Sequence, residues 1–206
     1  MKIKMFITMF ALFAIVLTSC EDNKKKEQEE NERIEQMEAE REAQMQAEKE
    51  KMEREANSIA AKAMETDTLS TLVSALESAD MAEMFMVKEG PFTVFAPNNA
   101  AFDKVDDATL ESLMKKENQD KLGELLKYHV VQGEITSEKL VGLINDNDGK
   151  YTFSTVVGAD LTASLDGEKV ILTDEAGNKV TVVQADVDAS NGVVHIIDGV
   201  VMRKAS

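Results

Sequence analysis

The sequence predicts an α+β fold with its helices first and its strands after. From Leu69 to Ser137, apolar residues recur at helical spacing, interrupted by one alternating stretch at Phe92-Thr93-Val94-Phe95. After Gly149 the chain turns to short runs rich in Val, Ile and Thr, separated by the turn signals Asp166-Gly167, Gly177-Asn178 and Asn191-Gly192. Helices segregated from a run of antiparallel strands describe an α+β domain, not alternating βαβ units. Ahead of both lies a charged stretch, Glu21 to Asn57, with no Pro, Gly or aromatic residue.

The chain opens with Lys2 and Lys4, continues with an apolar run from Phe6 to Leu17, and closes that run with Leu17-Thr18-Ser19-Cys20. The run is short of the roughly 20 apolar residues of a spanning helix and reads as a leader over residues 1–19. The closing tetrapeptide resembles the bacterial lipobox. That resemblance implies cleavage before Cys20, a lipid on its thiol, and an extracytoplasmic protein tethered to the cell envelope, with the outer membrane or cell surface favoured. Cys20 is the chain's only cysteine, so nothing remains for a disulfide or a thiolate site, and the folded part stands on its apolar core.

Residues 20–57 read as a lipidated cysteine and a charged helical spacer. Glu29 with Arg33, Lys49 with Glu53, Glu50 with Arg54 and Lys51 with Glu55 fall at i, i+4, where opposite charges support a solvated helix. Met45, Met52 and Ile59 are spaced by sevens, with Ala56 and Ala63 offset by four, the seam of a coiled coil that Lys49 interrupts. A lone or transiently paired helix is favoured over a stable coiled coil, and weak self-association through this stalk is one expected contact.

The folded module is expected over residues 58–203, with a tail at 204–206. Leu69, Leu72, Val73 and Leu76 form one apolar helix face behind Asp67 or Thr68 as cap. Phe92 to Phe95 is a strand ending at Ala96-Pro97, after which Asn98 or Asn99 caps a short helix. Asp107 starts the next helix, Leu122, Leu125, Leu126 and His129 share a face of another, and Thr136 or Ser137 begins the last. Strands are predicted at Tyr151–Val157, Asp160–Leu165, Lys169–Thr173, Lys179–Val187 and Gly192–Met202.

Three ordered segments carry a family resemblance. Thr93-Val94-Phe95-Ala96-Pro97-Asn98-Asn99-Ala100-Ala101-Phe102 resembles the first signature of the fasciclin, or FAS1, domain. Tyr128-His129, followed by Val130-Val131 and Gly133, is similar to its central Tyr-His motif, and Asn191-Gly192-Val193-Val194-His195-Ile196-Ile197-Asp198 resembles the second signature. The resemblance covers Ser58 to Met202 and implies a wedge-shaped β-sandwich with helices packed against it. It marks Pro97, Asn98, Asn191, Gly192, His195 and Asp198 as structural motif residues. It also implies, through the adhesion role of related domains, binding by Tyr128 and His129.

Read as residues, the two histidines sit among apolar neighbours, where a neutral ring hydrogen-bonded to backbone is the expected state. A nucleophile elbow is absent from the sequence and no cysteine is free for catalysis, so no enzyme is expected. Two histidines without cysteine do not suggest zinc, and no metal or cofactor is expected. Asn145-Asp146-Asn147-Asp148-Gly149 fails as a calcium loop, because aligning Gly149 with the sixth position puts Ile144 first and Thr155 twelfth. Asp106-Asp107, Asp186 and Asp188 read as cap and turn acids. Met81, Met84 and Met86, beside Phe85 and Val87, read as core filling before pocket lining.

The net charge of −16, or −18 without Lys2 and Lys4, excludes a nucleic-acid partner held by clustered cations. The expected function is a membrane-anchored adhesion or binding module for a surface protein, matrix component or glycan. The alternative is a carrier of a small lipophilic ligand held between sheet and helices.

Overall fold

The computed structural model describes residues 4–82 and 90–204, with side chains from Glu29 onward. Cys20's thiol and the methionines at 84 and 86 lie outside the described side chains. The chain divides into two compact units with the boundary between Lys51 and Met52.

Helix α1 runs Lys4–Ala56. Its described side chains up to Arg54 are exposed, including Ile34, Met37, Met45 and Met52, in keeping with a sequence of charged helix formers that buries no face. The seam of sevens does not continue along it. The helix stops at Ala56, and Ile59 is only 4% exposed, packed in the core of the following module with Ala60 and Ala63.

In the second unit, α2 (Ile59–Met64) is capped by Ser58, whose hydroxyl accepts from Ala61 N, and is followed by a 3-10 turn at Asp67–Leu69 and by α3 (Ser70–Ser78). Neither Asp67 nor Thr68 caps α3. That role falls to Asn99, 28 residues away in sequence, whose Oδ1 accepts from Thr71 N at 3.0 Å and whose amide donates to Asp67 O at 3.1 Å. Strand β1 (Phe92–Pro97) leads into α4 (Asn99–Phe102), α5 (Asp107–Leu113), α6 (Gln119–Tyr128), β2 (Val130–Gln132) and α7 (Ser137–Asp146). Strands β3 (Lys150–Ser154), β4 (Asp160–Asp166), β5 (Lys169–Thr173), β6 (Lys179–Ala189) and β7 (Gly192–Ile197) complete the chain.

Among the described residues seven strands form one sheet in the order β2-β1-β7-β6-β5-β4-β3. The expected antiparallel run holds from β3 to β7, but β1 and β7 are parallel, Phe92 opposite Gly192 and Pro97 opposite Ile197. Strand β7 also ends at Ile197 instead of Met202: beyond it Asp198 turns to exchange hydrogen bonds with Thr181, its Oδ1 accepting from Thr181 N at 2.7 Å. Strand β6 belongs to both halves of the sheet, pairing with β5 through Lys179–Thr181 and with β7 from Val182 on, with register shifts around Gln184. Such bulges bend a strand, and here they fold the sheet into a wedge whose far strands meet again. Val131 bridges Thr155, and Val156 N donates to Val130 O at 2.9 Å.

This geometry explains why β1 and β7 are buried along their whole lengths. They lie between two apolar clusters. Phe92, Val94, Ala96, Val194 and Ile196 face the helices, packing on Leu72, Leu76, Leu122 and Leu126. Phe95 and Ile197 face the interior of the wedge with Phe153, Leu161, Leu172, Leu140 and Ile144. Alternating side chains thus serve two cores, and the strands lose the apolar–polar alternation of a half-exposed sheet.

Candidate functional site

The three motif segments converge on the strands β1 and β7 and on the end of α6. Asn98 Oδ1 accepts from Ala101 N at 2.8 Å and starts α4, while Pro97 ends β1 opposite Ile197. Asn191 Oδ1 accepts from Ile59 N at 2.9 Å and ties α2 to the β6–β7 turn; its carbonyl accepts from Phe92 N at 3.0 Å. Gly192 is required where it stands, since a Cβ there would lie 1.9 Å from Phe92 O and the residue has φ +149°. Asp198 receives Thr181 N and also meets Lys104 Nζ at 3.5 Å, which fixes the exit of β7.

Tyr128 is fully buried at the last turn of α6. Its hydroxyl donates to Asp160 O at 2.8 Å and accepts from Glu175 N at 3.2 Å, joining α6 to β4 and to the turn after β5. Burial pushes its phenol up, with Asp174, Glu175 and Asp160 adding repulsion of the phenolate, against the lowering effect of the Glu175 hydrogen bond.

His129 is 3% exposed. Its Nδ1–H donates to Leu125 O at 2.8 Å and its Nε2 accepts from Val201 N at 3.3 Å. Burial lowers the ring to about 4, outweighing the Leu125 hydrogen bond and the nearby Asp174 charge, so it is neutral at pH 7. His195, also buried, donates Nε2–H to Ile135 O at 2.7 Å and accepts from Asp186 N at 3.3 Å on Nδ1. Its ring stacks on Phe95 at 5.6 Å and burial lowers its pKa too. Every ring nitrogen of the two histidines is engaged with backbone.

Three polar residues not marked as site residues hold the same region. Asp174 is 5% exposed; its Oδ1 accepts from Asn178 N and its Oδ2 from Met202 N, at 2.8 and 2.9 Å. Buried Thr93 donates to Gly133 O at 2.7 Å and accepts from Ile135 N at 2.9 Å, tying β1 to the chain leaving β2. Thr136 caps α7 as one of the two expected starts, its Oγ1 accepting from Lys139 N at 3.3 Å, and Asp186, at φ 58° in the β6 bulge, accepts from both Ser137 N and Ser137 Oγ and so holds the same helix start from a distance. Its carboxyl falls below the usual range: partial burial opposes ionisation, but the Ser137 hydrogen bonds and His195 outweigh it. The Asp174-x-x-x-Asn178 turn has a local signal, an acid four residues before an asparagine, and the sequence marks Asp186 as a cap or turn acid without its target.

The Asn145–Gly149 segment is the end of α7. Gly149 N donates to Ile144 O at 2.9 Å, with Asp148 at φ 55° and Gly149 at φ 81°, the turn that closes a helix C-terminus. Among the described residues no group of His, Cys, Asp or Glu is arranged to hold a metal ion. The space between α2, α3 and the sheet, floored by Val94 and Val194, is about 20 Å³, room for about one water.

Known proteins resemble this chain over the same region. The family model for the fasciclin domain matches residues 67–203. Protein sll1483 of Synechocystis is 44% identical over 147 residues, spanning 71% of this chain and 74% of that one. The cell surface glycolipoprotein MPB83 of Mycobacterium bovis is 34% identical over 150 residues, 71% of this chain and 61% of that protein. The FAS1 domain pair of the insect cell adhesion molecule Fasciclin I superposes with a TM-score of 0.64 at 16% identity, covering 72% of this chain and 51% of that one. With its three signatures woven into one sheet and a family match running through both cores, the chain belongs to the fasciclin domain family.

Proposed function

We propose that this protein is an adhesion or binding module held outside the cytoplasm by a lipid on Cys20. In this reading residues 1–19 are removed as a signal peptide, residues 20–57 are a charged spacer, and residues 58–203 present the fasciclin domain, followed by the tail 204–206. The observation that carries it is the engagement of the motif's polar groups: Tyr128, His129 and His195 are buried with their hydrogen bonds directed to backbone, leaving contact surfaces as the functional part of the domain. A relative named as a cell surface glycolipoprotein supports placement at the surface. The partners are a surface protein, matrix component or glycan, and the membrane through Cys20. An enzymatic role would need a reactive group, and these three side chains are already tied up.

Protease treatment of intact cells tests the placement. Loss of the domain from protease-treated cells with an intact outer membrane supports surface exposure; protection until the outer membrane is opened excludes adhesion between cells. Organic extraction of the purified protein tests the carrier alternative, which an extracted lipophile would favour. An empty protein that retains cells or glycan-coated surfaces supports the adhesion module.

A further inference from the structure

Beside the buried Tyr-His segment the domain surface carries a groove of about 220 Å³. Its walls are α5, α6, the turn after β3 and the C-terminal segment after β7. Leu113, Leu125, Val157 and Met202 line it, each half-buried, so that apolar surface remains open to water. Lys121 and Arg203, both exposed, stand over this lining with a single carboxylate, Glu124.

The groove is held by buried polar groups beneath it. His129 bridges Leu125 O and Val201 N, joining the α6 wall to the C-terminal wall through one ring. Asp174 Oδ2 fixes the next residue by accepting from Met202 N. A short C-terminal segment pinned at two successive backbone N–H groups forms a preformed wall, which lowers the ordering cost of binding.

We propose that this groove docks an acidic, extended segment of a partner protein, with one large apolar side chain on Leu113, Leu125, Val157 and Met202 and neighbouring carboxylates on Lys121 and Arg203. Three observations fix that occupant. The volume is below the roughly 300–1,000 Å³ of sites that enclose a whole drug-sized ligand, and suits one side chain of a longer segment. Four of its eight lining residues are apolar, which suits one large apolar side chain better than a hydroxyl-rich sugar; the other four, Thr109, Lys121, Glu124 and Arg203, are exposed and polar. Two cations against one carboxylate make a local positive surplus on a chain of charge −16, complementary to an acidic segment. The proposal rests on the reading of the protein as a binding module and names the surface and partner chemistry.

The test uses the full chain in detergent and fluorescence anisotropy of three labelled peptides, Ser-Asp-Phe-Glu-Ser, Ser-Asp-Ala-Glu-Ser and Ser-Lys-Phe-Lys-Ser. The first should bind about tenfold more tightly than either control. Lys121→Glu with Arg203→Glu should abolish that preference at unchanged thermal midpoint, since both side chains are exposed, and Glu124→Gln should strengthen binding about twofold. Equal affinity for the three peptides, or an unchanged preference in the double variant, overturns the proposal. Cell retention measured on the same proteins separates the two readings: retention that persists without peptide binding leaves the module and removes the groove. Peptide binding without retention keeps the groove and removes adhesion.

Discussion

His129 and His195, the two histidines of the chain, are held in opposite tautomers. His129 donates from Nδ1 to Leu125 O and accepts on Nε2, whereas His195 donates from Nε2 to Ile135 O and accepts on Nδ1. Each ring therefore needs to be neutral, because protonation would turn its accepting nitrogen toward another N–H.

Acid should destabilise the domain through these rings. An unfolded histidine takes a proton near pH 6.5, while folded His129 resists until about 4. Its contribution is intact above the unfolded pKa and is lost as pH falls between those values, amounting to about 3 kcal/mol. His195 acts in the same direction. Asp186, with its lowered pKa, loses its contribution only below the ordinary aspartate range, in a separate window. Urea midpoints at pH 7.5, 5.5 and 4.5 should fall steadily in the wild type, and His129→Asn should flatten the slope.

Gly192→Ala should cost about 3 kcal/mol or more, because the added Cβ meets Phe92 O at 1.9 Å and the first β1–β7 pair must part. Gly142→Ala in α7 is the control, with open space around its Cβ, and should stabilise by about 0.5–1 kcal/mol. Thermal melts of the two variants shifting in the same direction would contradict this account.

Tyr128→Phe removes a hydroxyl that both donates and accepts in a buried site, leaving Asp160 O and Glu175 N short of a partner. Stability should fall by about 1–3 kcal/mol. Adhesion by the folded fraction should be unchanged, since a fully buried ring touches no partner. A drop in retention larger than the loss of folded protein would make Tyr128 a contact residue.

Asn98→Ala removes the cap of α4 and should cost about 1 kcal/mol. Asn99→Ala, its neighbour, should cost at least as much, because Asn99 caps α3 and also holds Asp67 O. Chemical denaturation of the pair reads this directly; a silent Asn99→Ala would leave α3 without the cap assigned to it.

The contrast between these two asparagines shows where the sequence was legible. Asn98 acts three residues along its own chain, a spacing that local reading finds, as it found Lys169–Thr173 as a strand with both ends in place. Asn99 acts on a helix that precedes it by a whole strand, and Asp186 holds the first residue of α7 across 49 residues; nothing near either residue announces its target. The parallel pairing of β1 with β7 was hidden for the same reason, because a strand buried on both faces carries no alternation to declare its neighbour. At the candidate site the sequence marked the buried framework of Tyr128 and His129. The groove beside it assembles Leu113, Leu125 and Met202 from separate segments, which no local pattern joins.

The parallel register of Phe92 on Gly192 has a consequence for how the domain is made. Strand β1 lies between β2 and β7, so until the last strand is available it has one neighbour and an open edge. Pairing segments about a hundred residues apart closes a long loop late in folding, which slows it and leaves the incomplete sheet exposed meanwhile. A nascent chain that ends before Val194 lacks the β7 side chains of both cores, so neither can close until its C-terminus arrives.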